Sequence, residues 1–133
     1  MERSNFENLD VYRLAEDIAD RVWLVVEGWQ AFAQNTVGQQ LVESADSIGA
    51  NIAEGAGRGT YRDNCKFIHY ARGSLYETKH WLRRAYKRKL LSQEQIDTLK
   101  PMLEELAPRL NAYLRSIRGN RAPRPHQTPT TIN

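Results

Sequence analysis

The sequence predicts an all-α protein: an antiparallel up-down-up-down four-helix bundle over residues 1–118, followed by a flexible tail over 119–133. Three observations carry that expectation. Apolar residues recur at spacings of three and four in four separate segments, which puts them on one face of a helix. No apolar/polar alternation lasts beyond a few positions, so strand signals are missing. The connections between segments are short, and short connections make consecutive helices antiparallel neighbours. A chain of 133 residues is the size of one domain. It can build a core without disulfides or metal.

The first segment is expected from about Glu7 to Ala33, with Val11, Leu14, Ala15, Ile18, Val22, Val25, Val26 and Trp29 as its apolar stripe. Gln34-Asn35-Thr36 reads as its break. Thr36 fits the N-cap of the next helix, with Gln39 completing a capping box. The second segment is expected from about Val37 to Ala56, its core stripe being Leu41, Ala45, Ile48, Ile52 and Ala56. Gly55, Gly57 and Gly59 should end it, since glycine adopts the left-handed conformation at little cost.

The third segment is expected from about Tyr61 to Leu90, with Phe67, Ile68, Ala71, Leu75, Thr78, Leu82 and Ala85 facing inward. The fourth opens at Ser92, with Gln95 as capping-box partner, and runs to about Arg118. Its stripe is Ile96, Leu99, Leu103, Leu106, Leu110, Leu114 and Ile117. Pro101 and Pro108 lie inside it, each removing a backbone donor. They predict a bend, or a short lead-in helix before Pro101. From Gly119 onward there is no apolar periodicity. Pro123, Pro125 and Pro129 accompany Arg121 and Arg124, as in an extended tail.

Charge is distributed unevenly. Residues 1–57 hold three basic and ten acidic side chains, whereas residues 58–133 hold sixteen basic and six acidic. Such polarity points to head-to-tail self-association or to an anionic partner for the basic half, most simply nucleic acid. A single cysteine, Cys65, precludes an internal disulfide and suits a reducing cytoplasm. The first residues lack the apolar run of a signal peptide, and no segment nears the roughly 20 apolar residues of a membrane span. No membrane partner is expected.

Two helix faces bear on function. Beside the core stripe of the second segment runs Gln40, Ser44, Ser47, Asn51, Glu54 and Arg58, among small residues. Serine, asparagine and glutamate among small residues suggest a polar seam against a neighbouring helix or subunit; the alternative is a solvated face. On the third segment, Tyr70, Ser74, Glu77 and Trp81 form a face between the core stripe and the basic side, with Trp81 suited to a subunit contact or to core packing. Opposite the core of that segment lie Arg62, Lys66, Arg72, Lys79, Arg83, Arg84 and Lys87, extended by Arg88, with His69, Tyr76 and His80 among them. Few acids interrupt them, so intrahelical ion pairs do not account for the run. Arg72, Lys79, Arg83, Arg84, Lys87 and Arg88 are the expected phosphate contacts, and the rings could stack on bases.

No catalytic residues are evident. Gly55-Ala56-Gly57-Arg58-Gly59-Thr60 lacks the lysine of a phosphate loop and follows a helix. Cys65 and His69 are one turn apart, but no second pair completes a metal site. No nucleophile and base, and no carboxylate pair, stand out. Neither metal nor cofactor is expected.

The run Gln40-Leu41 and Ser47-Ile48-Gly49-Ala50-Asn51-Ile52-Ala53-Glu54-Gly55-Ala56-Gly57-Arg58 resembles a signature of the four-helix bundle proteins encoded in 23S rRNA intervening sequences. Ala71-Arg72-Gly73-Ser74-Leu75-Tyr76-Glu77 resembles that family's second signature, and Phe6-Glu7-Asn8-Leu9-Asp10-Val11-Tyr12 its opening. The likeness covers about residues 5 to 117. Asn64-Cys65-Lys66 and the two prolines of the fourth segment fall outside the pattern. The resemblance implies an antiparallel bundle that assembles into a ring-like homopentamer. It also implies kinship with the accessory variability proteins of diversity-generating retroelements, which bind nucleic acid and a reverse transcriptase. The sequence is thus read as a non-enzymatic, cytoplasmic, oligomeric accessory protein that binds RNA or DNA non-specifically. The competing reading is a scaffold whose basic face docks an acidic protein, such as a reverse transcriptase subunit or another copy of itself.

Overall fold

The computed structural model describes residues 5–121 of the chain. A 3-10 turn, Asn5–Asn8, leads into α1, Asp10–Glu27. Next come a short helix α2, Ala31–Ala33, a π-helical turn, Gln34–Gly38, and α3, Gln39–Ala56. α4 spans Tyr61–Lys87 and α5 spans Gln93–Arg121. The four long helices are α1, α3, α4 and α5. Each packs against its neighbour in sequence, and α1 closes the ring against α5. The fold is an all-α four-helix bundle.

The core forms from the expected stripes. Ile18, Leu41, Ile48, Ile52, Ile68, Leu75, Leu99, Leu106 and Leu110 are among its fully buried side chains. Two expected members fall outside it: Ala56, at the end of the α3 stripe, is exposed, and Phe67 is half-buried against Arg58 and Tyr70. Two buried hydroxyls sit inside this apolar core. Ser44 Oγ donates to Leu41 O at 3.1 Å, and the Thr78 hydroxyl lies 3.1 Å from Ser44 Oγ and 2.8 Å from Ser74 O. This contact links α3 to α4, and each hydroxyl has a partner, as burial requires.

Glycine sets the spacing of the same two helices. A Cβ on Gly55 would come within 2.7 Å of Asn64 Oδ1 and 3.0 Å of Phe67 Cβ. Gly55 is therefore a contact residue of α3, not its terminator. The pairs Gly55–Phe67 and Ser44–Thr78 are separated by eleven residues on each helix, which fixes the antiparallel register. Asn64 Oδ1, packed over Gly55, is a buried acceptor with no hydrogen-bond partner.

The structure corrects several helix boundaries. α1 ends at Gly28, not at Gln34-Asn35-Thr36. Gln34 Nε2 donates to Val26 O at 3.2 Å and to Glu27 O at 3.0 Å, satisfying carbonyls left open by the helix end. Thr36 is not an N-cap: its hydroxyl donates back to Phe32 O at 2.7 Å, inside the π-helical turn. That wider turn brings Gly38 against α1, where a Cβ would meet Val26 Cγ1 at 2.7 Å.

Nor does any glycine among the described residues take the left-handed conformation; Gly57 caps α3 at φ −84°. The left-handed residue is Lys89, at φ 62°, after α4. Leu90 N donates to Ala85 O and Lys89 N to Tyr86 O, the paired bonds of a Schellman cap.

α4 also has an N-cap that the spacing did not reveal: Thr60 Oγ1 accepts from Asp63 N at 3.1 Å. The capping box of α5 is present, with Ser92 N donating to Gln95 Oε1 at 3.0 Å and Gln95 N to Ser92 Oγ at 3.1 Å. α5 contains Pro101 and Pro108 without a separate lead-in helix. Both prolines are exposed. The helix reaches Arg121, into the segment expected as tail, because Gly119 penalises a helix without forbidding it. Arg124 and the tail prolines lie outside the described residues.

The glycine geometry yields a paired prediction. Gly55→Ala should destabilise the fold by about 1–3 kcal/mol, because a methyl there collides with α4. Gly49→Ala should be neutral or stabilising by up to about 1 kcal/mol, because its Cβ would meet Tyr12 Cε1 at an ordinary 3.5 Å and alanine favours the helix. Urea denaturation of both variants checks the contrast.

Candidate nucleic-acid interface

The basic residues of α4 divide into two strips. At about 100° per residue, Arg72, Lys79, Arg83 and Lys87 share the side turned towards α5. Arg84 and Arg88 lie on the flank that carries Glu77 and Trp81. Arg72 is half-buried and committed: its Nη1 donates to Asn111 Oδ1 of α5 at 2.9 Å. His69, one turn earlier, lies 3.3 Å from Arg118 of α5. These two contacts tie α4 to α5.

The other expected phosphate contacts are open to ligand. Among the described residues, Lys79, Arg83, Arg84, Lys87 and Arg88 form no ion pair; the ion pairs are Arg58–Glu54, Arg109–Asp10 and Arg109–Glu105. Arg83, Lys87 and Arg88 are exposed, Lys79 and Arg84 half-buried. Unpaired cations on one surface leave a positive potential available to a partner.

Aromatic rings alternate with these cations. Lys79 Nζ lies 5.3 Å from the Tyr76 ring centroid. At the other end of α4, Arg58 lies 4.7 Å from the Phe67 ring, and Lys66 within 5.9 Å of both Phe67 and Tyr70. Tyr70, Tyr76 and Tyr86 are about half exposed. Exposed rings beside cations provide stacking surfaces next to charge.

Between α4 and the first half of α5 lies an open groove of about 500 Å³. Leu82, Ile96, Leu99 and Leu103 form its floor. Lys79, Arg83, Lys100 and Tyr86 stand at its rim, with Glu104 the acid among its lining residues. Lys100 and Tyr86 escaped the sequence reading. Lys100 is an isolated lysine on another segment, and only the α4–α5 packing brings it beside Lys79 and Arg83.

The polar strip bonds locally. Ser47 Oγ donates to Glu43 O at 2.7 Å, and Asn51 Nδ2 to Ser47 O at 2.9 Å. Glu54 pairs with Arg58 at 3.4 Å, and Glu77 accepts from Trp81 Nε1 at 3.2 Å. Ser74 supplies a backbone carbonyl to Thr78. None of these bonds joins α3 to α4; the Thr78–Ser44 contact does. Ser47, Asn51, Ser74 and Trp81 are half-buried, flanking the α3–α4 junction.

A second groove, of about 320 Å³, lies between α1 and α3 and has the opposite charge. Glu16, Asp20 and Asp46 line it beside Ala15, Ala19 and Gly49. Burial, reinforced by the nearby Asp20 carboxylate, raises the Asp46 pKa above the ordinary 3.8. Cys65 is buried in the core while His69 faces outward, so the two do not converge. Among the described residues, no three His, Cys, Asp or Glu side chains group closely enough to hold a metal ion. Nor is any described helix long and apolar enough to cross a membrane.

The family of 23S rRNA-intervening sequence proteins matches residues 7–112. The chain belongs to that family. A crystal structure of a protein with unknown function from the S23 ribosomal protein family of Bacteroides thetaiotaomicron has the same fold. It superimposes with a TM-score of 0.70 at 22% identity, covering 79% of this chain and 95% of that one. No curated protein matches. The family match contains α1, α3 and α4 entire, and with them every cation of the α4 surface.

The acidic groove predicts a pH dependence. An acid whose folded pKa is raised costs stability when ionised; the cost is absent below its unfolded value of 3.8 and complete above its folded one. Asp46→Asn should therefore stabilise the protein near neutral pH, modestly because Asp46 keeps solvent access. The gain should vanish below pH 3.8. Thermal melts of both proteins across that range check the sign.

Proposed function

We propose that the protein is a non-enzymatic, cytoplasmic accessory protein that binds RNA or DNA through the outer surface of α4, largely without regard to sequence. The observation that carries this reading is the set of cations free of ion pairs, Lys79, Arg83, Arg84, Lys87 and Arg88, beside exposed tyrosines. Cations strung along a helix match the repeat of a phosphate backbone, whereas acid-base catalysis needs groups converging on one point. Lys79, Arg83 and Lys87 form the principal strip. Arg84 and Arg88 contribute from the flank, and Arg72 mainly braces α4 against α5.

The protein acts as a homo-oligomer in this reading, with a homopentamer the assembly suggested by the family resemblance. The acidic α1–α3 groove supports self-association, since its charge complements the basic surface of another copy. The half-buried strip of Ser47, Asn51, Ser74 and Trp81, flanked by Glu54 and Glu77, is a second surface suited to a subunit contact. A reverse transcriptase is the protein partner that the same resemblance suggests. The alternative, a scaffold whose basic surface receives an acidic protein, is favoured by that same charge complementarity and is separated by nuclease treatment. A partner retained on the protein after nuclease would support the scaffold.

Two outcomes are expected. Affinity for an oligonucleotide, read by fluorescence anisotropy, should fall steeply with salt. Arg83→Glu combined with Arg84→Glu should weaken it at least about tenfold and flatten the log–log salt slope by about 1.5, the share of two phosphate contacts. Affinity indifferent to salt, or to this double substitution, would remove α4 as the binding surface. Light scattering should give the mass of a closed oligomer; a monomer at micromolar concentration would overturn the assembly.

A further inference from the structure

We infer that the α4–α5 groove receives one unstacked base of a single strand, so that the protein prefers single-stranded to duplex nucleic acid. The inference rests on the nucleic-acid reading of α4 and specifies its ligand. Two properties of the groove define the occupant. Lys79, Arg83 and Lys100 at the rim outnumber Glu104, so the occupant is anionic. The floor of Leu82, Leu99 and Leu103 is apolar, so the occupant also carries an uncharged body to set against it.

A nucleotide has both parts. Its base presents an apolar face, and its phosphate is charged. The volume, about 500 Å³, is that of a small-ligand site. Tyr86 lines the groove and is 47% exposed, so its side chain is accessible to an occupant. Around α4 it sits about 20° from Lys79, on the side nearer the core, which sets a stacking ring next to the phosphate contacts.

A duplex cannot use this arrangement, because its bases are paired and stacked inside. A single strand can turn one base into the groove while its flanking phosphates follow Lys79, Arg83 and Lys87 along α4. Lys100 makes the site a property of two helices: it adds a cation on the far wall, where a base-bearing strand passes and a duplex lying along α4 does not reach in.

The test compares a single-stranded oligonucleotide with a duplex of equal length at one salt concentration, by fluorescence anisotropy. The full-length protein should bind the single strand more tightly. Tyr86→Ala should weaken single-strand binding about fivefold or more while leaving duplex binding unchanged. Tyr86→Phe, which keeps the ring, should behave as the unaltered protein. Tyr86 is half exposed, so both variants should retain the helical circular dichroism of the parent. Equal affinity for single strand and duplex would overturn the inference and leave α4 as a non-specific binding surface. So would a Tyr86→Ala loss that falls equally on both ligands. Failure to bind either ligand would overturn the nucleic-acid reading itself, and this inference with it.

Discussion

The close approach of α3 to α4 is the constraint on which the other features depend. Gly55 permits it, since any Cβ there would enter Asn64 and Phe67. Ser44 and Thr78 hold it at the far end through hydroxyls that have no access to water. A glycine inside a helix costs about 1 kcal/mol relative to alanine. Here that cost is offset by the backbone contact it allows. With α4 seated this way, one side enters the core, one side meets α5, and its cations are left outside.

This seating gives the signature run its meaning. Ile48 and Ile52 fill the core, Gly49 accommodates Tyr12 of α1, and Gly55 accommodates α4. Ser47 and Asn51 bond within their own helix. The run is therefore chiefly a packing code, and its small residues matter for what they leave out. The cations of α4 face outward and, among the described residues, form no ion pair.

The charge polarity of the chain becomes a polarity of surfaces. Three acids of the first half, Glu16, Asp20 and Asp46, line the α1–α3 groove, and basic residues of the second half lie along α4 and at the rim of the α4–α5 groove. Burial, and after it the neighbouring Asp20 carboxylate, raises the Asp46 pKa on the acidic side. Such a molecule attracts anions on one surface and cations on another. This is the physical basis for joining nucleic-acid binding and self-association in one proposal.

Helical periodicity alone sufficed for the fold class, the core stripes and the Ser92–Gln95 cap, because each depends on residues within a few turns of one another. The Thr60 cap was equally local and went unread. The break at Gly28 was hidden, because it depends on Gln34 reaching back to Val26 and Glu27 across a turn. Gly55 looked like a helix end because glycine usually ends helices; only the neighbouring helix reveals it as a contact. The cations of α4 were legible as a run, but their division into a strip facing α5 and a flank was not. Arg72 could be named as basic but not as a brace, and Lys100 and Tyr86 could not be named at all. Helical periodicity reports which face of its own helix a residue occupies. Which helix lies opposite, and what space remains between them, depends on packing over distances that local spacing does not encode.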